Sequence, residues 1–205
     1  MRMMLPLLLV VALGGCATGA KQNPANDAGA VDIKARLSLS GCAPDMADQV
    51  LDLRNPALEQ EAAFRCLQDG QLTTVERLLT GYRDRHDNPP NPDYSEYLLA
   101  LTDFVRFELA EGDAASQLKA GRKSHDQLVA FVRKYPESAY RNEVAPRLET
   151  LHEGMARAEY RLAMTDIEKG RREMGASRLR YVVREYPRSA AAVDARRWLE
   201  QRLAP

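Results

Sequence analysis

The 205-residue chain carries 29 basic and 29 acidic residues, so its formal net charge at pH 7 is zero. This balance gives no support to nucleic-acid binding, and the length fits one domain or a short array of repeats. The charge is unevenly distributed, with 12 basic and 18 acidic residues in 17–132 but 16 and 11 in 133–205. Such an asymmetry favours an acidic partner for the basic half, although solvated helix faces produce it too.

The first fifteen residues have the organisation of a bacterial signal peptide. Arg2 supplies a positive charge, and Leu5 to Leu13 form an apolar run too short to span a bilayer. The sequence Leu13-Gly14-Gly15-Cys16 that follows resembles the lipobox of bacterial lipoproteins. The resemblance implies cleavage before Cys16 and acylation of that cysteine, which would anchor the chain to a membrane. A plain secretory signal is the alternative interpretation.

The residue after Cys16 indicates the destination. Ala17 stands where inner-membrane lipoproteins of enterobacteria have an aspartate, so the implied location is the periplasmic face of the outer membrane. Residues 16–40 are predicted to be the lipidated N-terminus and a flexible tether, because 17–32 are small and polar with little to bury. Residues 41–205 are predicted to be the folded domain.

Export also decides how the two remaining cysteines are interpreted. Cys42 and Cys66 are an even pair in an oxidising compartment, so we expect a disulfide between them. It would close a loop of about 25 residues and stabilise the fold by about 3 kcal/mol on the loop-entropy estimate. Two buried free thiols are the alternative. The cysteine and histidine spacings do not fit a zinc site.

Helical patterns separated by turn signals fill the first half of the domain. A short helix is expected between Cys42 and Leu53, followed by a helical hairpin over residues 56–85 with Asn55 as its N-cap. The proline-rich stretch Asn88 to Pro92 cannot continue a helix and is predicted to be a rigid connector. A helical stripe then runs from Tyr94 to a turn at residues 111–113.

The second half contains an internal repeat with an offset of 51 residues. Leu128 to Pro136 reads LVAFVRKYP, and Leu179 to Pro187 reads LRYVVREYP. In each copy the apolar residues occupy one helix face, proline ends the helix, and Ser138 or Ser189 is the expected N-cap of the next one. Repeated helical hairpins bury their apolar faces against each other, so the sequence predicts an all-α, tetratricopeptide-like solenoid.

The longest helical pattern lies between the two copies of the repeat. Apolar residues recur at steps of three and four from Val144 to Leu162, and Gly170 ends the pattern. Pro146 lies inside it, so the regular helix is expected to begin near that proline or to be kinked by it. One long helix explains why the repeat offset exceeds that of a simple hairpin.

The residue patterns required for catalysis are absent from the sequence. His152-Glu153 begins a zinc-protease-like string, but Ala156 stands where the second histidine ligand is needed. Ser124-His125-Asp126 are consecutive, so their side chains diverge on a helix and cannot form a relay. The sequence also has no nucleotide-binding glycine motif. It therefore predicts a binding protein with no catalytic residues, metal, cofactor or small-molecule substrate.

From Asn91 to about Leu199 the sequence resembles the BamD-like family, the tetratricopeptide-like lipoproteins of the β-barrel assembly machine. The similarity lies in four stretches: Asn91 to Tyr97 (NPDYSEY), Phe131 to Tyr140 (FVRKYPESAY), Ala156 to Tyr160 (ARAEY), and Ser177 to Pro187. The resemblance implies a non-enzymatic scaffold that binds the β-barrel insertase and its associated lipoproteins. The family has an additional N-terminal repeat that contacts unfolded barrel substrates, whereas residues 17–55 here are predicted to offer a tether and Cys42.

The resemblance also implies a partner-binding residue. Arg178 lies eight residues before Tyr186 and matches the arginine that in BamD-like proteins contacts the acidic periplasmic domain of the insertase. Arg180, Arg184 and Arg188 lie nearby and complete the predicted set, although helical spacing puts Arg180 and Arg184 on a solvated face. A local ion pair with Glu173 or with a neighbouring repeat is the alternative role for Arg178.

A second function stays open. Cys42 and Cys66, with Asn55-Pro56 between them, are similar to a pattern in small lipoproteins that assist envelope sensor kinases. The alternative interpretation is therefore a lipoprotein adaptor for a sensor kinase or a cell-wall machine.

Overall fold

The computed structural model describes residues 24–203, and this part of the chain contains helices and no strands. Successive helices pack against one another as stacked hairpins, which confirms the predicted all-helical, tetratricopeptide-like fold. Within residues 24–203 no helix is both long and apolar enough to cross a membrane. The helices are α1 (Pro24–Ser40), α2 (Met46–Asp52), α3 (Pro56–Gln68), α4 (Leu72–Leu79), α5 (Tyr82–Arg85), α6 (Pro92–Leu109), α7 (Ala114–Lys134), α8 (Arg141–Glu168), α9 (Arg172–Glu185) and α10 (Ala190–Leu203).

Helix α1 corrects the prediction of a flexible tether through residue 40. Its Ala30, Ile33 and Leu37 are buried in a core shared with α2, α3 and α4. These residues recur at steps of three and four, so even a stretch rich in small residues presents one apolar helix face. Helix α1 therefore pairs with the short predicted helix, α2, to form an N-terminal hairpin. Cys16 lies outside the described residues.

A disulfide joins this hairpin to α3. Cys42 follows α1 and is bonded to Cys66 of α3, with their Cα atoms 4.8 Å apart. The Cys42 amide also donates a hydrogen bond of 2.7 Å to Asp69 Oδ2. Gly41 has a φ of +73°, and a Cβ there would lie 2.6 Å from the same oxygen. The turn therefore needs glycine for both its backbone conformation and its clearance.

The proline-rich connector is held by one buried side chain. Gln60 on α3 donates hydrogen bonds to the carbonyl oxygens of Pro90 and Asn91 and to Ser95 Oγ, at 2.8–2.9 Å. Gln60 is 5% exposed, so these bonds form in a dry environment. At the start of the same helix, Asn55 accepts a hydrogen bond from the Leu58 amide, as its predicted N-cap role requires.

Two hydrophobic cores meet at α6. The first contains α1 to α4, and the second contains α7 to α10. Leu98 of α6 belongs to the first core, whereas Tyr97 and Phe104 belong to the second. Adjacent positions on a helix point about 100° apart, so a single helix can serve both cores. Helix α6 thus links the N-terminal hairpins to the two sequence repeats.

The two copies of the repeat form α7–α8 and α9–α10. Ser189 Oγ accepts a hydrogen bond from the Ala192 amide at the start of α10, as predicted for an N-cap. Ser138 Oγ instead accepts from Tyr140 within the turn, and α8 begins at Arg141. Helix α8 begins five residues before Pro146 and continues through it, although the proline has no N–H to donate to the carbonyl of Asn142.

Candidate partner-binding surface

Helices α3, α6 and α8 each carry a nearly inaccessible carboxylate. Glu59 on α3, Asp103 on α6 and Glu159 on α8 are 1–2% exposed. Each has two cationic or potentially cationic partners: Arg85 and His86 for Glu59, Arg106 and Lys123 for Asp103, and Arg122 and Arg178 for Glu159. A buried carboxylate without such partners would be strongly destabilising, so each set fixes the position of neighbouring helices.

The predicted partner-binding residue Arg178 belongs to the third of these sets. Its Nη1 donates a hydrogen bond of 3.0 Å to Glu159 Oε2, and its Nε donates one of 3.0 Å to Asp166 Oδ2. The two carboxylates are seven residues apart, or about two helical turns, and therefore lie on one face of α8. Arg178 thus ties α9 to α8, as in the alternative of an ion pair with a neighbouring repeat.

Asp166 has a second cationic partner, which binds its other carboxylate oxygen. Arg171 donates to Asp166 Oδ1 from both Nε and Nη2, at 3.0 and 2.6 Å. These bonds, together with that from Arg178, hold the pKa of Asp166 below its ordinary value of 3.8. The carboxylate is therefore charged at neutral pH, and the end of α8 is fastened to the beginning of α9.

Arg178 retains a solvent-facing part. Its side chain is 38% exposed. Within residues 24–203 its Nη2 donates no hydrogen bond, since the two bonds to α8 use Nε and Nη1. A guanidinium held in this way keeps a free edge in one orientation and loses less conformational entropy when it binds a further acceptor.

Arg180 and Arg184 occupy a different face of α9. They are one turn apart and exposed, and they lie about 160° and 120° around the helix from Arg178, respectively. Arg184 pairs with the adjacent Glu185, and its guanidinium carbon lies 5.6 Å from the Tyr181 ring centroid. In the described part of the chain, Arg180 has no carboxylate within the 4.0 Å ion-pair distance.

Arg188 lies apart from the other three arginines. It follows Pro187 in the turn before α10 and lines a groove of about 1080 Å³ between α8 and the α6–α7 connection. Four glutamates also line this groove: Glu108, Glu111, Glu149 and Glu153. The four arginines of the predicted set are therefore not one cluster, because they point towards α8, towards solvent and into this groove.

The carboxylates that hold Arg178 are not among the site residues predicted from the sequence. Glu159 falls within the apolar stripe of α8, between Met155 and Leu162, and a charged residue in such a stripe is the signal that could have indicated a buried ion pair. Its partners Arg122 and Arg178 are 37 and 19 residues away in the chain. The pairing therefore depends on how α7 and α9 pack on α8.

The fold and this surface define a helical-repeat protein with buried ion-pair sets and exposed arginines on its last repeats. Among residues 24–203, no group of three or more His, Cys, Asp or Glu side chains is placed to hold a metal ion. The model of the YfiO family, described as outer membrane lipoprotein, matches residues 56–202. The chain belongs to this family of outer membrane lipoproteins. A search of curated proteins finds no match to the chain.

Proposed function

We propose that the chain is a lipid-anchored, non-enzymatic scaffold on the periplasmic face of the outer membrane, where it binds the β-barrel insertase and associated lipoproteins during assembly of outer-membrane proteins. Membership of the YfiO family, matched over residues 56–202, carries this proposal. The lipobox ending at Cys16 supports the anchor, and the stacked hairpins supply the extended surface that repeat proteins use for binding.

Within this function, Arg178 is the proposed partner contact. Glu159 and Asp166 fix its guanidinium, and the free Nη2 can donate hydrogen bonds to one further carboxylate from an acidic partner domain. Arg180 and Arg184 belong to a different exposed face of α9, about 120–160° around the helix from Arg178. They contribute long-range attraction to an acidic partner.

Purification of the tagged protein from membranes tests the proposal. Recovery of the barrel insertase among the co-purifying proteins supports it, whereas recovery of a sensor kinase or a cell-wall enzyme without the insertase supports the adaptor alternative. Membrane fractionation of Cys16→Ser tests the anchor separately. The variant should leave the membrane fraction and lose fatty-acid labelling, and persistent labelling would contradict acylation at Cys16.

A further inference from the structure

Helix α1 has apolar residues on both sides. Ala30, Ile33 and Leu37 face the core, whereas Val31 and Leu39 are 68% and 87% exposed. Exposed alanines continue the outer stripe, whose members Ala28, Val31, Ala35 and Leu39 fall within about 80° of one another around the helix. A solvated helix face is ordinarily polar, so this stripe indicates a surface that has an apolar neighbour.

An aromatic side chain on α3 extends the apolar surface. Phe64 is 44% exposed, and it lies one turn after Glu61, which pairs with Lys34 of α1 at 2.6 Å. The Cys42–Cys66 disulfide holds the C-terminal end of α1 next to the C-terminal end of α3. Phe64 lies between Glu61 and Cys66, which are joined to Lys34 and Cys42, so it is level with the C-terminal part of α1. We call Val31, Leu39 and Phe64 the N-terminal apolar patch.

The length of the chain between Cys16 and α1 limits where this patch can lie. Seven residues, 17–23, separate Cys16 from Pro24, and an extended chain of that length reaches at most about 28 Å. An acylated Cys16 sits at the lipid surface, so α1 stays within that distance of it. The buried side of α1 is occupied by the core, which leaves the patch side free to face the bilayer.

We propose that the N-terminal apolar patch rests on the lipid surface, with Val31 and Leu39 inserted among the headgroups and upper acyl chains of a phospholipid leaflet. This inference depends on the proposed lipid anchor at Cys16. Asp32 and Lys34 flank the stripe and remain in the headgroup layer, as polar residues do beside an interfacial helix. The short tether raises the local concentration of the patch at the membrane, so a few apolar side chains suffice.

Quenching by brominated lipid tests this contact. The acylated protein is reconstituted in phosphatidylcholine vesicles with and without brominated acyl chains. Trp198 is the single tryptophan, so Trp198→Phe provides a background in which each variant reports one position. Leu39→Trp should lose about half or more of its emission in brominated vesicles, because an interfacial side chain lies at the depth of the upper acyl chains. Adding Val31→Asp should restore that emission.

Met174→Trp is the matched control. Met174 is 52% exposed on α9, far along the chain from the anchor, and its replacement should give equal emission in both kinds of vesicle. If the Leu39→Trp protein floats with the vesicles but emits equally with and without brominated lipid, the inference is overturned and the anchor stands. The patch would then be free for a protein partner. Failure of the protein to float shows that the anchor is absent, and the inference falls with it.

Discussion

Arg178 donates one hydrogen bond to Glu159 and another to Asp166, each of 3.0 Å, and so joins α9 to two carboxylates on one face of α8. This relationship gives Arg178 a structural role that is independent of any partner. Under the proposed function, a change at Arg178 therefore alters both the stability of the fold and the binding of the partner. The two effects can be separated by variants of the other residues in the same set.

Arg178→Ala should lower the free energy of unfolding. The substitution leaves Glu159 with Arg122 alone, in a site where the carboxylate is 2% exposed. Loss of a charged hydrogen-bond partner costs about 1–3 kcal/mol. The lower half of that range is expected because the Arg178 side chain is itself 38% exposed and partly screened by solvent. Urea unfolding measures the change. Arg180→Ala on the solvated face is the control and should change stability by less than about 0.5 kcal/mol.

Asp166→Asn should make unfolding less sensitive to acid. The folded-state pKa of Asp166 is below its ordinary value of 3.8, first through Arg171 and then through Arg178. Such a carboxylate contributes stability that is fully present above the unfolded-state pKa, about 3.9, and is lost as the pH falls through the lower folded-state pKa. The stability difference between wild type and variant should therefore shrink below about pH 4.

Denaturant unfolding at neutral and acidic pH measures that difference. Arg171→Gln is a companion variant, because it removes the first partner of Asp166 and leaves Arg178 in place. The pH dependence of its unfolding free energy should lie between those of wild type and Asp166→Asn. If the unfolding free energies of wild type and Asp166→Asn fall equally with decreasing pH, the loss of stability in acid does not come from protonation of Asp166.

Gly154→Ala should destabilise the protein, although alanine is ordinarily the better helix former by about 0.5–1 kcal/mol. A Cβ at position 154 of α8 would lie 2.3 Å from Phe107 Cζ, and Phe107 also packs close to Gly121 of α7. Overpacking of this kind costs about 1–3 kcal/mol. The double variant Gly154→Ala/Phe107→Leu should recover part of the loss. Gly112→Ala is the control, since a Cβ there meets nothing within 4 Å.

Cys42→Ala/Cys66→Ala should lower stability by about 3 kcal/mol, because the disulfide closes a loop whose ends are 24 residues apart. Thermal unfolding measures the change. Reductant should lower the melting temperature of the wild-type protein towards that of the variant and should leave the melting temperature of the variant unchanged. A wild-type melting temperature equal to that of the variant under oxidising conditions would show that the bond adds nothing.

Much of the helical architecture follows from local patterns that the sequence displays. Asn55 and Ser189 cap their helices, and α7 and α9 end before the Tyr-Pro turns of the repeat. Helix α1 could not be predicted in the same way, because most of its apolar residues are small or exposed, so its periodicity is weak until its packing on α3 is known.

The candidate surface could be predicted less completely. The resemblance to the BamD-like family singles out Arg178, whose position eight residues before Tyr186 is visible in the local sequence. Which arginine is held by Glu159 depends on contacts 19 and 37 residues apart in the chain. Those contacts arise from helix packing, for which the sequence offers only the weak signal of a charged residue in an apolar stripe.

Comparison of Arg178→Ala with Arg122→Ala by quantitative co-purification from membranes tests the central claim most directly. Both arginines bond to Glu159, at 3.0 and 2.6 Å, so both variants lose a partner of the same buried carboxylate. Arg122 reaches the other carboxylate oxygen, Oε1, from α7, so its replacement removes a partner of Glu159 and leaves the Nη2 donor of Arg178 in place. At matched protein levels, we expect Arg178→Ala to recover roughly tenfold less barrel insertase, as loss of about 1.4 kcal/mol of binding predicts, while Arg122→Ala recovers nearly the wild-type amount. Equal recovery with the two variants would contradict a direct contact by Arg178, and absence of the insertase from the wild-type sample would contradict the proposed scaffold function itself.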